Sequence, residues 1–140
     1  MKSIGIAVLS LGCVAFVLPS HAKDVYPPLD ILLSSTKTII GQPFTYPKGE
    51  AKMTSAIVTM MPGQSTGWHR HEVPLFAYVL AGEITVDYAD DGVRLYKTGD
   101  SLIEAFQTSH NGTNTGDGPV RILAVFAGAQ GAINTVSKDN

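Results

Sequence analysis

Cysteine is nearly missing from this 140-residue sequence, whose single copy, Cys13, lies in an apolar stretch near the start. The rest of the chain therefore has no disulfide and no thiolate that could bind a metal ion or act as a nucleophile. Charged residues are also few, at 16% of the chain, with ten Lys and Arg against twelve Asp and Glu. This slightly acidic balance favours neither a nucleic-acid partner nor an anionic membrane surface.

The N-terminal stretch, residues 1–22, is predicted to be a cleaved secretory signal peptide. A basic start is followed by the charge-free run IGIAVLSLGCVAFVL and then by PSHA, whose small residues suit cleavage after Ala22. The run is short for a membrane span, which needs about 20 apolar residues. A lipoprotein cut before Cys13 would leave too little apolar sequence ahead of it. We therefore expect an exported protein, periplasmic or secreted. Mass spectrometry of the exported form should show that its N-terminal residue is Lys23.

The remaining residues, 23–140, are expected to form one domain that folds outside the cytoplasm. Short segments rich in β-branched and aromatic residues alternate with Gly and Asp turns: TSAIVTMMPG, LFAYVL, EITVDY, VRLYK, SLIEA and VRILAVFAG. Strands at this spacing predict an all-β antiparallel sandwich or small barrel. Leu75, Ala77 and Val79 share one strand face and are predicted to form an apolar inner wall.

Three further details of the fold follow from the same pattern. The Pro- and Thr-rich entry DVYPPLDILLSSTKTIIGQPFTYPKGE predicts an extended N-terminal arm without a helix. LFAYVL and EITVDY, joined by Ala81 and Gly82, are predicted to pair as a hairpin. The tail GAINTVSKDN is predicted to be a loosely packed end.

Histidine is scarce, and its placement is informative. Once His21 is removed with the signal peptide, only His69, His71 and His110 remain. Alternate residues of a strand point to the same face, so His69 and His71 share a face and Arg70 takes the other. Two such imidazoles make half of a site for zinc, iron, copper, nickel or manganese. Two solvated surface histidines are the alternative, and the HxH pair alone leaves both open.

The wider spacing resembles the two sequence motifs of the cupin superfamily. Five residues separate Gly63 from the HxH pair and ten separate the pair from Gly82, while Gly99 precedes His110 and Asn114 follows it. The resemblance covers about residues 54–128. The segments HNGTNTGD and VRILAVF are similar to those of small, exported, single-domain bacterial cupins. Every histidine of the mature chain falls on a motif position.

This resemblance implies a specific fold and site. The fold would be a single antiparallel β-barrel of jelly-roll type over residues 23–140. His69, His71 and His110 would bind one divalent metal ion inside it, of the elements Fe, Mn, Zn, Ni or Cu. Members of the superfamily commonly pair through sheet edges, which implies a homodimer.

The sequence departs from the family pattern at two places. The motif glutamate falls at Leu75, or at Phe76 on the longer spacing, and neither side chain can bind a metal. The PxG turn of the second motif is replaced by the segment AFQ, residues 105–107. A site of three histidines has more positions open to water, oxygen or substrate. It also adds no ligand charge, so the ion attracts an anionic or enolate-like oxygen donor.

Glu104 is the candidate for replacing the missing carboxylate. It lies in the apolar segment SLIEAF, six residues before His110. Facing the barrel, it could act as a fourth ligand, as a partner of an imidazole, or as a proton acceptor and hence a catalytic residue. The alternative is an outward carboxylate in water. Gln107 is a weaker candidate on the same turn, and Glu72 is predicted to be solvated.

Three functions remain open at this point. The first is a metal-dependent oxygenase that acts on a small chelating organic substrate, such as a β-dicarbonyl or a polyphenol. The second is a metal-assisted lyase, isomerase or hydrolase in which Glu104 is the base. The third is a non-catalytic module that binds a metal or a small ligand outside the cytoplasm. Fold class alone does not separate them.

Overall fold

The structure, a computed structural model, describes residues 26–138. The chain divides into Met1–Asp30 and Ile31–Asn140. The described residues of the first unit have no regular secondary structure, and all the strands belong to the second. The predicted signal peptide, residues 1–22, lies outside the described residues. Among the residues described, no helix is long and apolar enough to cross a membrane.

The second unit is built from short strands and one 3-10 turn. The strands are β1 (Ala51–Met60), β2 (His69–His71), β3 (Leu75–Ala81), β4 (Glu83–Asp87), β5 (Val93–Lys97), β6 (Ser101–Ile103), β7 (Asn111–Thr113), β8 (Val120–Ala129) and β9 (Thr135–Ser137). The 3-10 turn, Ala89–Asp91, lies between β4 and β5.

These strands form three antiparallel sheets. One has the order β1-β8-β3-β6, the second β5-β4-β7, and the third consists of β2 and β9. Non-consecutive neighbours such as β3 and β8 show that the chain crosses between sheets rather than forming a meander. The predicted all-β antiparallel barrel is confirmed.

Alternating side chains of facing sheets form the core. Leu75, Ala77 and Val79 of β3 are buried, as are Ile84 and Val86 of β4, so the inner wall predicted for β3 is correct. The other face of β3 is half-buried or exposed. The alternation follows from the period of two in a strand with one face on the core.

The predicted hairpin of β3 and β4 is wrong. β3 pairs with β6 and β8, whereas β4 pairs with β5 and β7. Between them Gly82 has a φ of +77°, and a Cβ added at this residue would clash with the backbone of Pro119 and Val120. The Ala-Gly pair therefore makes a corner between two sheets, and a tight turn within one sheet is not formed.

The N-terminal arm, described from Ile31, supports the barrel without forming a strand of its own. The N–H of Ile39 donates to the carbonyl of Ile103 at 2.8 Å. The side-chain amide of Gln42 accepts from the N–H of Phe106 at 3.2 Å and donates to the Thr108 hydroxyl at 2.7 Å. The arm thus holds the turn that precedes His110.

The predicted loosely packed tail is also wrong. Residues Thr135–Ser137 form β9, which pairs with the HxH strand β2. The segment is too short for a periodic pattern to show in the sequence, and its pairing partner lies more than sixty residues earlier. The C-terminal strand therefore belongs to the wall of the candidate site.

Candidate metal centre

The three histidines among the described residues, His69, His71 and His110, lie side by side. His69 and His71 lie on β2, and His110 directly precedes β7. Two backbone hydrogen bonds join His69 to His110, at 3.0 and 2.8 Å. The three ring centroids are 4.5–5.0 Å apart, and each ring offers a nitrogen within 4.8 Å of the other two. Arg70, between the pair, is exposed on the opposite face, as the strand pattern predicts.

Each ring is oriented by a hydrogen-bond partner at Nδ1. The Nδ1 of His69 lies 2.9 Å from the carbonyl oxygen of Gly67, and that of His110 lies 2.9 Å from the carbonyl oxygen of Thr108. A carbonyl only accepts, so these nitrogens carry the proton and the Nε2 atoms are bare. The Nδ1 of His71 lies 3.0 Å from the Thr135 hydroxyl.

The donor set fits a metal ion. The Nε2 of His110 is buried and has no hydrogen-bond partner. A buried polar atom without a partner costs about 1–3 kcal/mol, and such an atom in a native fold calls for an explanation. Coordination of an ion by Nε2 supplies the missing partner, and imidazole is a good ligand for the divalent metals named above.

The electrostatics of the cluster keep the imidazoles neutral. Burial, together with repulsion from His110 and His69, lowers the pKa of His71 to about 3. Burial also lowers the pKa of His69 and of His110. A metal ligand must be the neutral form, so at neutral pH all three rings are already in the state that binds an ion.

A cavity of about 280 Å³ extends from the histidines. Its walls are mostly apolar and come from β1, β3, β4, β6 and β8, including Val58, Met60, Ala77, Val79, Ile84, Val86, Leu102, Ile122, Ala124 and Phe126. Exposed residues of the loop before β2 and of β9, namely Thr66, Thr135 and Ser137, line its other side. The cavity is therefore open to solvent beside the three imidazoles.

Glu104 faces this cavity. Its side chain is buried, with the residue 8% exposed, and one oxygen accepts from the Ala105 N–H at 2.7 Å. The other oxygen lies 4.0 Å from the Nε2 of His110. Burial raises the pKa of Glu104, and hydrogen bonds from Ala105 and the Tyr88 hydroxyl act in the opposite direction. The carboxylate lies beside the histidine cluster, outside the group of mutually close ligand atoms.

The other sequence candidates lie elsewhere. Leu75, at the position of the motif glutamate, lines the cavity with an apolar side chain. Gln107 is exposed and donates to Glu72 at 3.3 Å. Glu72, predicted to be solvated, is half-buried and also pairs with Arg70. It forms its ion pair on the outer side of β2.

Asn114, the last motif position, has a structural role. Its residue is 1% exposed, and its amide nitrogen donates to the carbonyls of Met60 and Gly118 at 2.8 and 2.9 Å. Its amide oxygen accepts from the Gly116 N–H at 3.0 Å. The side chain is fully used in holding the turn between β7 and β8.

Sequence reasoning missed the contributions of Thr135 and Tyr96 to the site. Thr135 contacts His71 from the C-terminal strand. Tyr96 lines the cavity and its hydroxyl lies 3.0 Å from that of the buried Tyr88. Both look like ordinary strand residues in the sequence. Their roles could be predicted only if the pairing of the strands were already known.

The fold and the site together define a class, namely small antiparallel β-barrels with a three-histidine group facing an internal cavity. The family model of the cupin domain matches residues 56–126, about half of the chain, and the chain belongs to this family. The expectation drawn from the two motifs is thereby confirmed. A comparison with curated proteins finds no match.

Solved structures of oxalate decarboxylases are similar to part of the chain. One from Bacillus subtilis, concerned with its Mn(II) centres, and another concerned with the substrate binding mode are each 29% identical to this chain, with a TM-score of 0.52. Each match covers 62% of this chain and 24% of the other, so this chain spans about a quarter of their length. A formate complex of the Lactobacillus farciminis enzyme, 23% identical with a TM-score of 0.54 over 62% of this chain and 27% of that one, shares the fold.

Proposed function

We propose that this chain binds one divalent metal ion through His69, His71 and His110 and acts as an oxygenase on a small chelating organic substrate. One observation carries the proposal: three neutral imidazoles converge beside an open, apolar cavity, and no carboxylate lies among their ligand atoms. Three neutral ligands leave the full charge of the ion in place, so it attracts an anionic oxygen donor. The N-terminal pattern supports the further proposal that the protein acts outside the cytoplasm.

A bound ion would supply a Lewis acid and, if it is iron, a centre for oxygen chemistry. The chain itself supplies the three imidazoles, held by their Nδ1 partners, and walls that exclude water from the body of the substrate. Glu104 is placed to accept or hold a proton near the Nε2 of His110. Burial raises the pKa of Glu104, and a raised pKa favours the protonated form that a proton-holding group requires.

The cavity favours a particular shape of substrate. No Lys or Arg is found among the described residues that line it, so a second carboxylate on the substrate would be buried without a cationic partner, which is costly. One chelating, anionic end and an apolar body fit better. Small β-diketones and alkyl catechols have this form, and oxalate, with a charge at each end, does not.

Oxygen uptake tests this proposal. The Fe(II)-loaded protein is incubated with a panel of β-diketones and catechols, with oxalate as the dianionic comparison, in air and without oxygen. We expect oxygen consumption with at least one apolar chelating substrate and none with oxalate. Tight retention of a ligand without turnover would contradict the oxygenase and favour a non-catalytic binding module.

A metal-assisted lyase is the second candidate, because the similar structures include oxalate decarboxylases at 29% identity. The same experiment separates it from the oxygenase. Product formed from a carboxylic acid substrate, with no net oxygen consumed, would favour the lyase and overturn the first proposal.

Replacing the buried carboxylate tests the role of Glu104. We expect Glu104→Gln to weaken metal affinity or turnover by about 10–100-fold, the usual scale for residues that support metal ligands. The metal-free fold should be equally or more stable at neutral pH. The pKa of Glu104 is higher in the folded state than in the unfolded state. The stability that this difference gives is fully present below the unfolded-state pKa and is lost as the pH rises through the folded-state pKa. Glutamine does not ionise, so the variant does not suffer this loss.

The matched control is Glu50→Gln, which removes an exposed carboxylate before β1. It should leave metal affinity, turnover and thermal stability unchanged. Metal affinity is measured by chelator competition, and stability by thermal unfolding without metal. Unchanged metal affinity and turnover in Glu104→Gln would show that Glu104 has no role and that the three histidines alone form the centre.

A further inference from the structure

The three imidazoles differ in where their Nδ1 partners come from. For His69 and His110 the partner is the carbonyl of the residue two positions earlier, Gly67 and Thr108 respectively. For His71 it is the hydroxyl of Thr135, 64 residues later in the chain. Two rings are therefore oriented by their own local backbone, and the third depends on the C-terminal strand.

The pairing of β2 with β9 places that hydroxyl. His71 is directly opposite Thr135, and His69 is directly opposite Ser137. Directly opposed residues of an antiparallel pair project to the same face, and all four of these residues line the cavity. The carbonyl of the preceding residue, Asn134, already accepts from the Glu72 N–H at 3.1 Å. Burial lowers the pKa of His71 and the Asn134 carbonyl acts to raise it, and the Thr135 hydroxyl is the group that lies 3.0 Å from the Nδ1 of His71.

We propose that Thr135 is a positioning residue for the metal centre, whose hydroxyl keeps the proton of His71 on Nδ1 and so leaves Nε2 free to bind the ion. This inference rests on the proposed function in that it assumes a metal at the three histidines. A neutral imidazole carries one proton, and the Thr135 hydroxyl can accept it from Nδ1 or donate to a bare Nδ1. It accepts in the tautomer protonated at Nδ1, which is the one that leaves Nε2 free for the ion. Without an acceptor at Nδ1, the tautomer protonated at Nε2 becomes populated, and that form cannot coordinate.

In this arrangement the orientation of one metal ligand, His71, depends on the C-terminal strand β9. β9 has only three residues, and its ends are exposed, so its docking is held by few contacts. Any loss of β9 from β2 would release the ring of His71 while His69 and His110 kept their local partners. Metal affinity is therefore coupled to the docking of β9.

The test uses the full chain and zinc alone as the probe. Thr135→Val keeps the shape and removes the hydroxyl, Thr135→Ser keeps the hydroxyl, and Ser137→Ala is the control on the same strand. We expect zinc affinity, from chelator competition, to fall about 10–100-fold in Thr135→Val and to be near wild type in Thr135→Ser. Ser137→Ala should bind zinc as the wild type does, because Gly67 already holds the Nδ1 of His69.

A second measurement reports on the tautomer without metal. In ring-¹⁵N spectra of the metal-free protein, we expect His71 to be protonated at Nδ1 in the wild type and in Thr135→Ser, and mixed in Thr135→Val. Equal zinc affinity in Thr135→Val and wild type, equal loss in Ser137→Ala, or no rescue by serine would overturn the inference. If the wild type binds no zinc, the proposed function fails; the inference then stands or falls on whether the His71 spectrum changes in Thr135→Val.

Discussion

Replacing His110 by alanine is expected to lower metal affinity by more than about 100-fold, beyond the range for residues that only support a ligand. His110 is 2% exposed, and its Nε2 points at the other two imidazoles without another partner. Two histidines of one strand remain in the variant, and they make half of a site. Titration with zinc or iron in a chelator competition measures the loss.

Thermal unfolding measures the loss of metal binding in a second way. An ion that binds only the folded state stabilises it by about 2.7 kcal/mol at a concentration of 100 times its dissociation constant. The wild type should gain this stability when metal is added, and His110→Ala, whose affinity is more than about 100-fold lower, should gain less than about 0.4 kcal/mol. In the metal-free variant, removing an unpartnered buried nitrogen favours folding while the enlarged cavity opposes it, so the unfolding temperature should move little.

Arg70→Ala is the matched control for the histidine variant. Arg70 lies on the same strand, between the two ligands, with its side chain on the outer face in an ion pair with Glu72. It should bind metal as the wild type does. Comparable metal binding by His110→Ala and Arg70→Ala would mean that the three-histidine group does not hold the ion.

The second large effect is expected for Gly82→Ala. A Cβ at this position would lie 2.6 Å from the carbonyl oxygen of Pro119 and 2.9 Å from the Cα of Val120, and both are backbone atoms that cannot rotate away. Its φ of +77° adds a penalty for any residue with a Cβ, about 1–2 kcal/mol. Overpacking adds about 1–3 kcal/mol. We expect a total loss of about 2–5 kcal/mol in the free energy of unfolding.

Gly63→Ala separates the two contributions. Gly63 has the same φ of +77°, but nothing lies within 4 Å of a Cβ built there. It should therefore show the backbone penalty alone. Urea denaturation of the two variants measures the difference, and equal losses would show that the approach of Gly82 to β8 does not constrain this corner.

The sequence was informative where a local pattern decides the structure. The alternation in LFAYVL places Leu75, Ala77 and Val79 on the core, and the HxH spacing places two imidazoles on one face. Both depend only on the period of a strand. The convergence of His110 with them was implied by the family motifs, since nothing local to either segment brings them together.

The sequence was misleading where pairing over long distances decides. The Ala-Gly pair after β3 has the composition of a hairpin turn, yet β3 pairs with β8 and β6 and not with its neighbour in sequence, β4. The tail has no periodic pattern, and its pairing with β2, more than sixty residues earlier, is not visible in the sequence. Whether Glu104 faces the cavity depends on the irregular turn after β6, where Gln107 has a positive φ. The alternation of a strand does not continue through such a turn, so it could not predict the direction of Glu104.

The arm that supports the turn before His110 has a consequence for the order of events during folding. Gln42 reaches Thr108 across 66 residues, and Thr135 reaches His71 across 64. Contacts of such separation form late, since loop closure is unfavourable until the rest of the structure rewards it. A chain that has not finished folding would therefore present only the HxH pair to any ion it meets, and selection among metals would be made by the finished barrel. The ion would then bind after the barrel has folded and would not direct its folding.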